Sequence, residues 1–251
     1  MRLVVDFKVT GTSVPDDRLE SNIAHARSLG LPPAERRAGG GVLNVIGRGP
    51  SVADHAEFLR HDTGDNWAAG TAWGWCRDNG IPAVAVFADP SPIMAEPRYT
   101  LGVTRAIVSE QCDPSLFAAL RGAEVSLMSI DQWAVGYSAA VTALVLGTHP
   151  DSVVRLYGCE GSFAAITHAD EDQPQPNMLV VKCNGGVFRT NPQMIIQCEE
   201  FVNIWRMCKP GLFENRSGGL LGAMLATGGE WELLRWDNAP ENVRALMEAA
   251  A

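Results

Sequence analysis

Apolar and polar positions along this chain fall into short blocks rather than one long periodic stretch. The runs 43–46, 67–72, 83–88, 105–108, 123–128, 153–157 and 178–183 are rich in apolar residues and predict strands. Between and beyond them, 51–61, 73–79, 114–121, 136–147, 191–208, 217–227 and 240–250 predict helices. Short β runs alternating with helical stretches point to an α/β protein with a mainly parallel sheet flanked by helices. Residues 83–88 are apolar at every position, which suits a central strand covered on both faces. Upstream, 3–9 predicts a short strand and 21–29 a helix, followed by a connector rich in Pro, Gly and Arg. The expected organisation is an extension and connector over 1–40 and a main domain over 41–251. The acidic Asp170-Glu171-Asp172 and then Gln173-Pro174-Gln175-Pro176 form a loop, and no repeat or heptad is present.

The stretch with most chemical content is Leu43-Asn44-Val45-Ile46-Gly47-Arg48-Gly49-Pro50-Ser51, after which 52–59 is amphipathic. A strand, a glycine turn and a helix start form an arrangement with which α/β proteins bind anions. Gly47 and Gly49 open backbone conformations closed to other residues and let a ligand come close. Free N–H groups at the helix start then face that ligand. Pro50 suits a helix entry, and Ser51 can cap the helix or hydrogen-bond a phosphate oxygen. The same residues also make an ordinary strand-to-helix turn, and glycines alone do not separate the two. The stretch is neither a P-loop nor a dinucleotide fingerprint.

A chain of 251 residues, 46% of them hydrophobic, can bury a substantial core without staples. No apolar run approaches the roughly 20 residues of a membrane span. Asp6 interrupts the short apolar start, so no signal peptide is expected and the expected compartment is the cytoplasm. The net charge of −9 argues against broad electrostatic binding to nucleic acid or anionic membrane. The six cysteines, Cys76, Cys112, Cys159, Cys183, Cys198 and Cys208, contain no C-x-x-C pair, which predicts buried thiols rather than zinc ligands.

Further stretches, taken in order with the glycine turn, form a family pattern. Gly80-Ile81-Pro82 leads through a buried strand to Asp89-Pro90. Gly136-Tyr137-Ser138-Ala139-Ala140-Val141 precedes Leu156-Tyr157-Gly158-Cys159-Glu160-Gly161-Ser162-Phe163, and then Thr167-His168-Ala169. Val187-Phe188-Arg189-Thr190-Asn191-Pro192-Gln193-Met194 follows, with Gln197 and Glu200-Phe201. Over roughly 20–228 this order resembles the 6-hydroxymethylpterin diphosphokinase MptE-like proteins. That grouping also contains the motility-associated factor proteins implicated in flagellin glycosylation. The layout is also similar to a group of bacterial sialyltransferases, whose cytidine-nucleotide site begins with a strand and a G-x-G-P-S turn. The resemblance implies a Rossmann-like, sialyltransferase-like fold with a nucleotide-sugar across the carboxyl ends of the parallel strands. A histidine would deprotonate the acceptor hydroxyl, with no metal required. Fold analogy alone does not fix function.

On that resemblance the nucleotide site comprises Gly47, Arg48, Gly49, Pro50, Ser51, Thr71, Trp73, Asp89, Pro90 and Ser138. His168 is the candidate general base, since an imidazole titrates near neutral pH. Glu160, where the family has Asp, would orient His168, bind a ligand hydroxyl or cap the next turn. Asp89 would contact a ribose hydroxyl or the donor sugar, or else cap the turn made by Asp89-Pro90-Ser91-Pro92. Trp67, Trp73 and Trp75 would stack on a base or pack against the first helix of the main domain. Phe201 reads as core, Gln197 as a solvent-exposed glutamine or a site residue, and His55 as solvent-facing.

Three functions compete. The first is a glycosyltransferase using a nucleotide-sugar, CMP- or UDP-linked, with His168 as base and an acceptor hydroxyl of unknown kind: protein, glycan or modified nucleobase. The second is a diphosphokinase passing pyrophosphate from ATP to a hydroxymethyl heterocycle. It needs Mg²⁺ and several carboxylates, whereas Asp89 alone remains of the acidic cluster that such members carry. The third is a non-catalytic nucleotide-binding or assembly protein. No metal and no membrane partner are expected, and a homo-oligomer is left open.

Overall fold

The computed structural model describes residues 14–38, 40–129, 138–149, 151–163, 178–207, 212–236 and 239. The chain opens with helix α1 (Asp16–Ser28) and enters strand β1 (Gly41–Ile46). A 3-10 turn (Pro50–His55) runs into α2 (Ala56–His61), then β2 (Asp65–Ala69), α3 (Ala72–Asp78) and β3 (Val84–Phe87). After a second 3-10 turn (Pro92–Ala95) come α4 (Pro97–Thr100), β4 (Arg105–Ser109), α5 (Pro114–Ala119) and β5 (Glu124–Met128). Helix α6 (Ala139–Gly147) leads to β6 (Ser152–Tyr157), and β7 (Leu179–Cys183) pairs with β8 (Gly186–Thr190). The remaining elements are α7 (Pro192–Met207), β9 (Phe213–Asn215), α8 (Gly219–Thr227) and β10 (Glu232–Trp236).

Seven strands form one sheet in the order β5-β4-β3-β2-β1-β6-β9, and every pairing in it is parallel. All seven predicted runs of the main domain are strands, with ends shifted by a few residues; 70–72 turn into α3 instead of continuing β2. β3 sits inside the sheet between β2 and β4, as its unbroken apolar run requires. One run departs from expectation. β7 leaves the parallel sheet and joins β8 and β10 in a separate antiparallel sheet ordered β10-β7-β8. The predicted strand 3–9 and helix 240–250 lie outside the described residues.

Side chains alternate between the two faces along β1. Leu43 and Val45 pack with Leu144, Val154, Leu156, Phe201 and Leu220, which brings α6, α7 and α8 to one face. Ile46 packs with Leu59, Trp73, Phe87, Leu116 and Tyr157, which brings α2, α3 and α5 to the other. Fully burying an aliphatic side chain of this size contributes about 1.5–3 kcal/mol. Trp67, Trp73 and Trp75 all belong to these cores, each at most 6% exposed. The one polar residue facing inward on β1, Asn44, donates to Asp62 Oδ2 (2.6 Å) and Asn66 Oδ1 (2.9 Å).

α1 is docked by charge rather than by a strong apolar stripe. Arg27 makes a bidentate pair with buried Glu110 (2.8 and 2.9 Å), and Arg18 reaches Asp113 (2.8 Å). Asn22 donates to the Gln111 carbonyl, and Gln111 in turn donates to the Ala88 carbonyl. The helix is thereby fastened to the loop after β4, one residue from Asp89. No helix among the described residues is long and apolar enough to cross a membrane.

Candidate functional site

Strands β1 to β5 are laid down in one direction, and β6 then returns to the other side of β1. The order reverses between β1 and β6. In open α/β sheets this is the crevice where ligands bind, at the carboxyl ends of the strands. The final register pair of these strands is Ile46↔Tyr157, so the turn that begins at Gly47 meets the turn that begins at Gly158. The glycine loop and Glu160, 109 positions apart in the chain, are neighbours for this reason.

The two turns are locked together. Gly47 N–H donates to the Tyr157 carbonyl (2.7 Å) and Gly49 N–H to the Gly158 carbonyl (2.8 Å). Ser51 N–H donates to Glu160 Oε1 at 2.7 Å. The Ser51 hydroxyl donates to the Ser217 carbonyl at 3.1 Å. These amides were expected to face a ligand phosphate; here they face the chain itself, and the anion in the loop is the Glu160 carboxylate. Gly49 has φ −66°, an ordinary extended value, and so contributes space rather than unusual backbone freedom. A Cβ built on Gly49 would overlap the Glu160 carboxylate, lying 2.5 Å from its Cδ and 2.8 Å from the Gly158 carbonyl oxygen. Gly158, at φ +63°, does need glycine's left-handed freedom.

A third loop closes the arrangement. Ser217, 2% exposed, accepts from Cys159 N–H (2.9 Å) and donates to the Leu156 carbonyl (3.2 Å). At the start of α8, Leu221 N–H donates to the Glu160 carbonyl (2.9 Å) and Leu220 N–H to the Ser162 hydroxyl (3.1 Å). Thr190 Oγ1 donates to the Gly161 carbonyl (2.7 Å), tying the small sheet to the same turn. Glu160 is 7% exposed and held at both ends, its carboxylate by Ser51 N–H and its carbonyl by Leu221 N–H. Sequence reasoning missed Ser217. Its signal was Arg216-Ser217-Gly218-Gly219, a small-residue turn before a helix, of the same kind as the first glycine loop.

The other candidates divide. Thr71 is half-buried at the turn between β2 and α3, on the same sheet edge as the glycine loop. Asp89 follows β3 at that edge and accepts from Ser91 N–H (2.8 Å), so it does cap its turn; Pro90 is buried beside it. Ser138 caps α6, accepting from Val141 N–H at 3.3 Å. It also accepts from the side-chain amide of Gln197, which is half-buried and joins two motifs far apart in sequence. One turn further along α7, burial holds the Glu200 carboxyl above its usual range. Arg48 lies over the Tyr99 ring, 5.8 Å from its centroid. Trp73 is core, and its indole N–H donates to the Leu101 carbonyl (3.2 Å), so its ring is no base-stacking platform.

His55 does not simply face solvent. It packs edge-on against Tyr157, with 5.1 Å between ring centroids, and its Nε2 is 3.2 Å from the Arg216 carbonyl. His168 lies outside the described residues, so its relation to Glu160 is carried by the sequence alone. Cys76, Cys112, Cys159, Cys183 and Cys198 are buried free thiols, as expected, and Cys208 lies outside the described residues. Burial pushes the Cys159 thiol up to about 12, with the Glu160 charge adding and the Gly47 amide opposing. Among the described residues no group of three or more His, Cys, Asp or Glu is placed to hold a metal ion.

No family model and no curated protein matches the chain. Its fold is similar to the solved structure of the MAf glycosyltransferase from Magnetospirillum magneticum AMB-1, with a TM-score of 0.57 and 16% sequence identity. The likeness covers 95% of this chain and 42% of that one, so this chain spans less than half the length of that protein. At this identity the likeness is one of fold.

Proposed function

We propose that this chain is a glycosyltransferase unit that moves a sugar from a nucleotide-sugar to an acceptor hydroxyl. One observation carries the reading. The reversal of strand order between β1 and β6 sets the G-x-G-P-S turn against the Glu160 turn, in a fold shared with a glycosyltransferase. Thr71, Asp89 and Ser138 follow β2, follow β3 and cap the helix after β5, which puts them at that edge of the sheet. In this reading His168 removes the proton of the acceptor hydroxyl as the anomeric carbon is attacked and the nucleotide departs. Glu160, which rests on Ser51 N–H in this structure, would orient His168 or bind a ligand hydroxyl when the nucleotide occupies the loop. Metal independence is part of the proposal and rests on Asp89 lacking the companion carboxylates of a diphosphokinase. A cytoplasmic location likewise rests on the sequence.

The test is a thermal-shift panel of CMP-, UDP-, GDP- and ADP-linked sugars beside ATP–Mg²⁺. A ligand at a hundred times its Kd stabilises by about 2.7 kcal/mol, or roughly 5–10 °C for a chain of this size. The expected result is stabilisation by one nucleotide-sugar that survives EDTA, and turnover falling about 10²–10⁴-fold in His168→Ala. Stabilisation by ATP–Mg²⁺ alone would favour the diphosphokinase instead. A second reading, a non-catalytic nucleotide-binding or assembly protein, draws on a specific feature: the Glu160 carboxylate sits where a phosphate was expected. No response to any nucleotide-sugar would favour it.

A further inference from the structure

We infer that Glu160 is the specificity-determining residue of the glycine loop, a resident anion that keeps phosphate out until it withdraws. This rests on the reading above insofar as that loop lies at the donor site. Three observations carry it. Glu160 Oε1 accepts from Ser51 N–H at 2.7 Å, the contact a phosphate oxygen would make. Its other oxygen fills the space above Gly49, where even a Cβ would not fit. The residue is 7% exposed, and its backbone is pinned by Leu221 N–H on its carbonyl and by Gly219, where a Cβ would come 2.6 Å from Glu160 Cβ.

The physical consequence follows from charge. A phosphate entering this loop would meet a resident carboxylate instead of free amides. Like charges in a partly desolvated site repel, and both ligands need the same donor. The carboxylate must therefore rotate away before an oxyanion binds. Shortening Glu160 by one methylene draws it back from Ser51, and truncating it vacates the loop. Specificity here is set by a repulsive element as much as by an attractive one.

The experiment uses the whole chain and inorganic pyrophosphate as the probe. Wild type, Glu160→Ala and Glu160→Asp are titrated by calorimetry, and the Gly49 and Ser51 amide resonances of ¹⁵N-labelled protein are followed. The two variants guard against one failing to fold. The expected result is pyrophosphate binding about ten- to a hundredfold tighter in the variants, with both amides shifting in them and staying still in wild type. Equal binding in wild type would overturn the inference, and so would an absence of binding in both folded variants. The two readings fail separately. Nucleotide-sugar binding by wild type that is unchanged in Glu160→Ala would sink this inference and leave the donor reading intact. Variants that gain pyrophosphate while no form responds to any nucleotide-sugar would do the reverse.

Discussion

Gly49→Ala tests the lock between the glycine loop and Glu160 most directly. The new methyl would overlap the Glu160 carboxylate and lie 2.8 Å from the Gly158 carbonyl oxygen. The backbone oxygen cannot yield, because it accepts from Gly49 N–H at 2.8 Å. The carboxylate must therefore retreat by about 2 Å to reach ordinary contact distance, which breaks its bond to Ser51 N–H. Losing a hydrogen bond to a charged group costs about 1.5–3 kcal/mol, and overpacking adds about 1 kcal/mol. Gly49→Ala should then cost about 2.5–4 kcal/mol, a melting-temperature drop of roughly 5–16 °C for a chain of this length. Glu160→Ala loses the same hydrogen bond by another route and should cost about 1.5–3 kcal/mol. In the Glu160→Ala background the methyl meets only the Gly158 carbonyl, and Gly49→Ala should cost about 1 kcal/mol. Urea unfolding of the four proteins gives the coupling energy, expected at about 1.5–3 kcal/mol. Costs that add to within about 0.5 kcal/mol would show that the carboxylate is not in the loop, and the reasoning built on it would fail.

Three further outcomes follow from other contacts. Ser217→Ala strands Cys159 N–H in a buried turn and should cost about 1–3 kcal/mol in chemical denaturation; a cost under about 0.5 kcal/mol would mean the hydroxyl does not join the loops. Burial pushes the Asp113 carboxyl up, but hydrogen bonds from Ser115 and Arg18 hold it below the usual range. Its stabilising effect is present above the unfolded value of about 3.9 and is lost as pH falls through the lower folded value. Arg18→Ala should therefore lower the melting temperature at pH 7, with the difference from wild type shrinking below about pH 4; a pH-independent difference would refute the ion pair as the cause. Burial holds Cys76 and Cys159 up to about 12, so both should resist iodoacetamide in the native protein at pH 8 and react in urea. Rapid native labelling, read by peptide mass, would contradict that burial.

Six of the seven strands of the parallel sheet were legible in the chain because burial on both faces requires largely apolar runs, unbroken at 83–88 and interrupted at 43–46 only by Asn44. The glycine turn was legible because small residues at a strand end must serve a close approach of some kind. What approaches was not legible. The partner is Glu160, brought there by the Ile46↔Tyr157 register, and no local pattern encodes a contact across 109 positions. β8, β9 and β10 escaped for related reasons. β9 spans three residues and exists through its pairing with β6, while β10 is broken by a register shift between Leu233 and Arg235. The tryptophans near β2 were ambiguous because an apolar ring suits a base or a core equally, and only packing resolved them as core. Sequence by itself determined the alternation of strand and helix and the place of the glycine turn, because both follow from local burial and backbone sterics. Tertiary structure alone decided where the chain reversed its strand order and which charge filled the loop, because both depend on pairings between segments far apart along the chain.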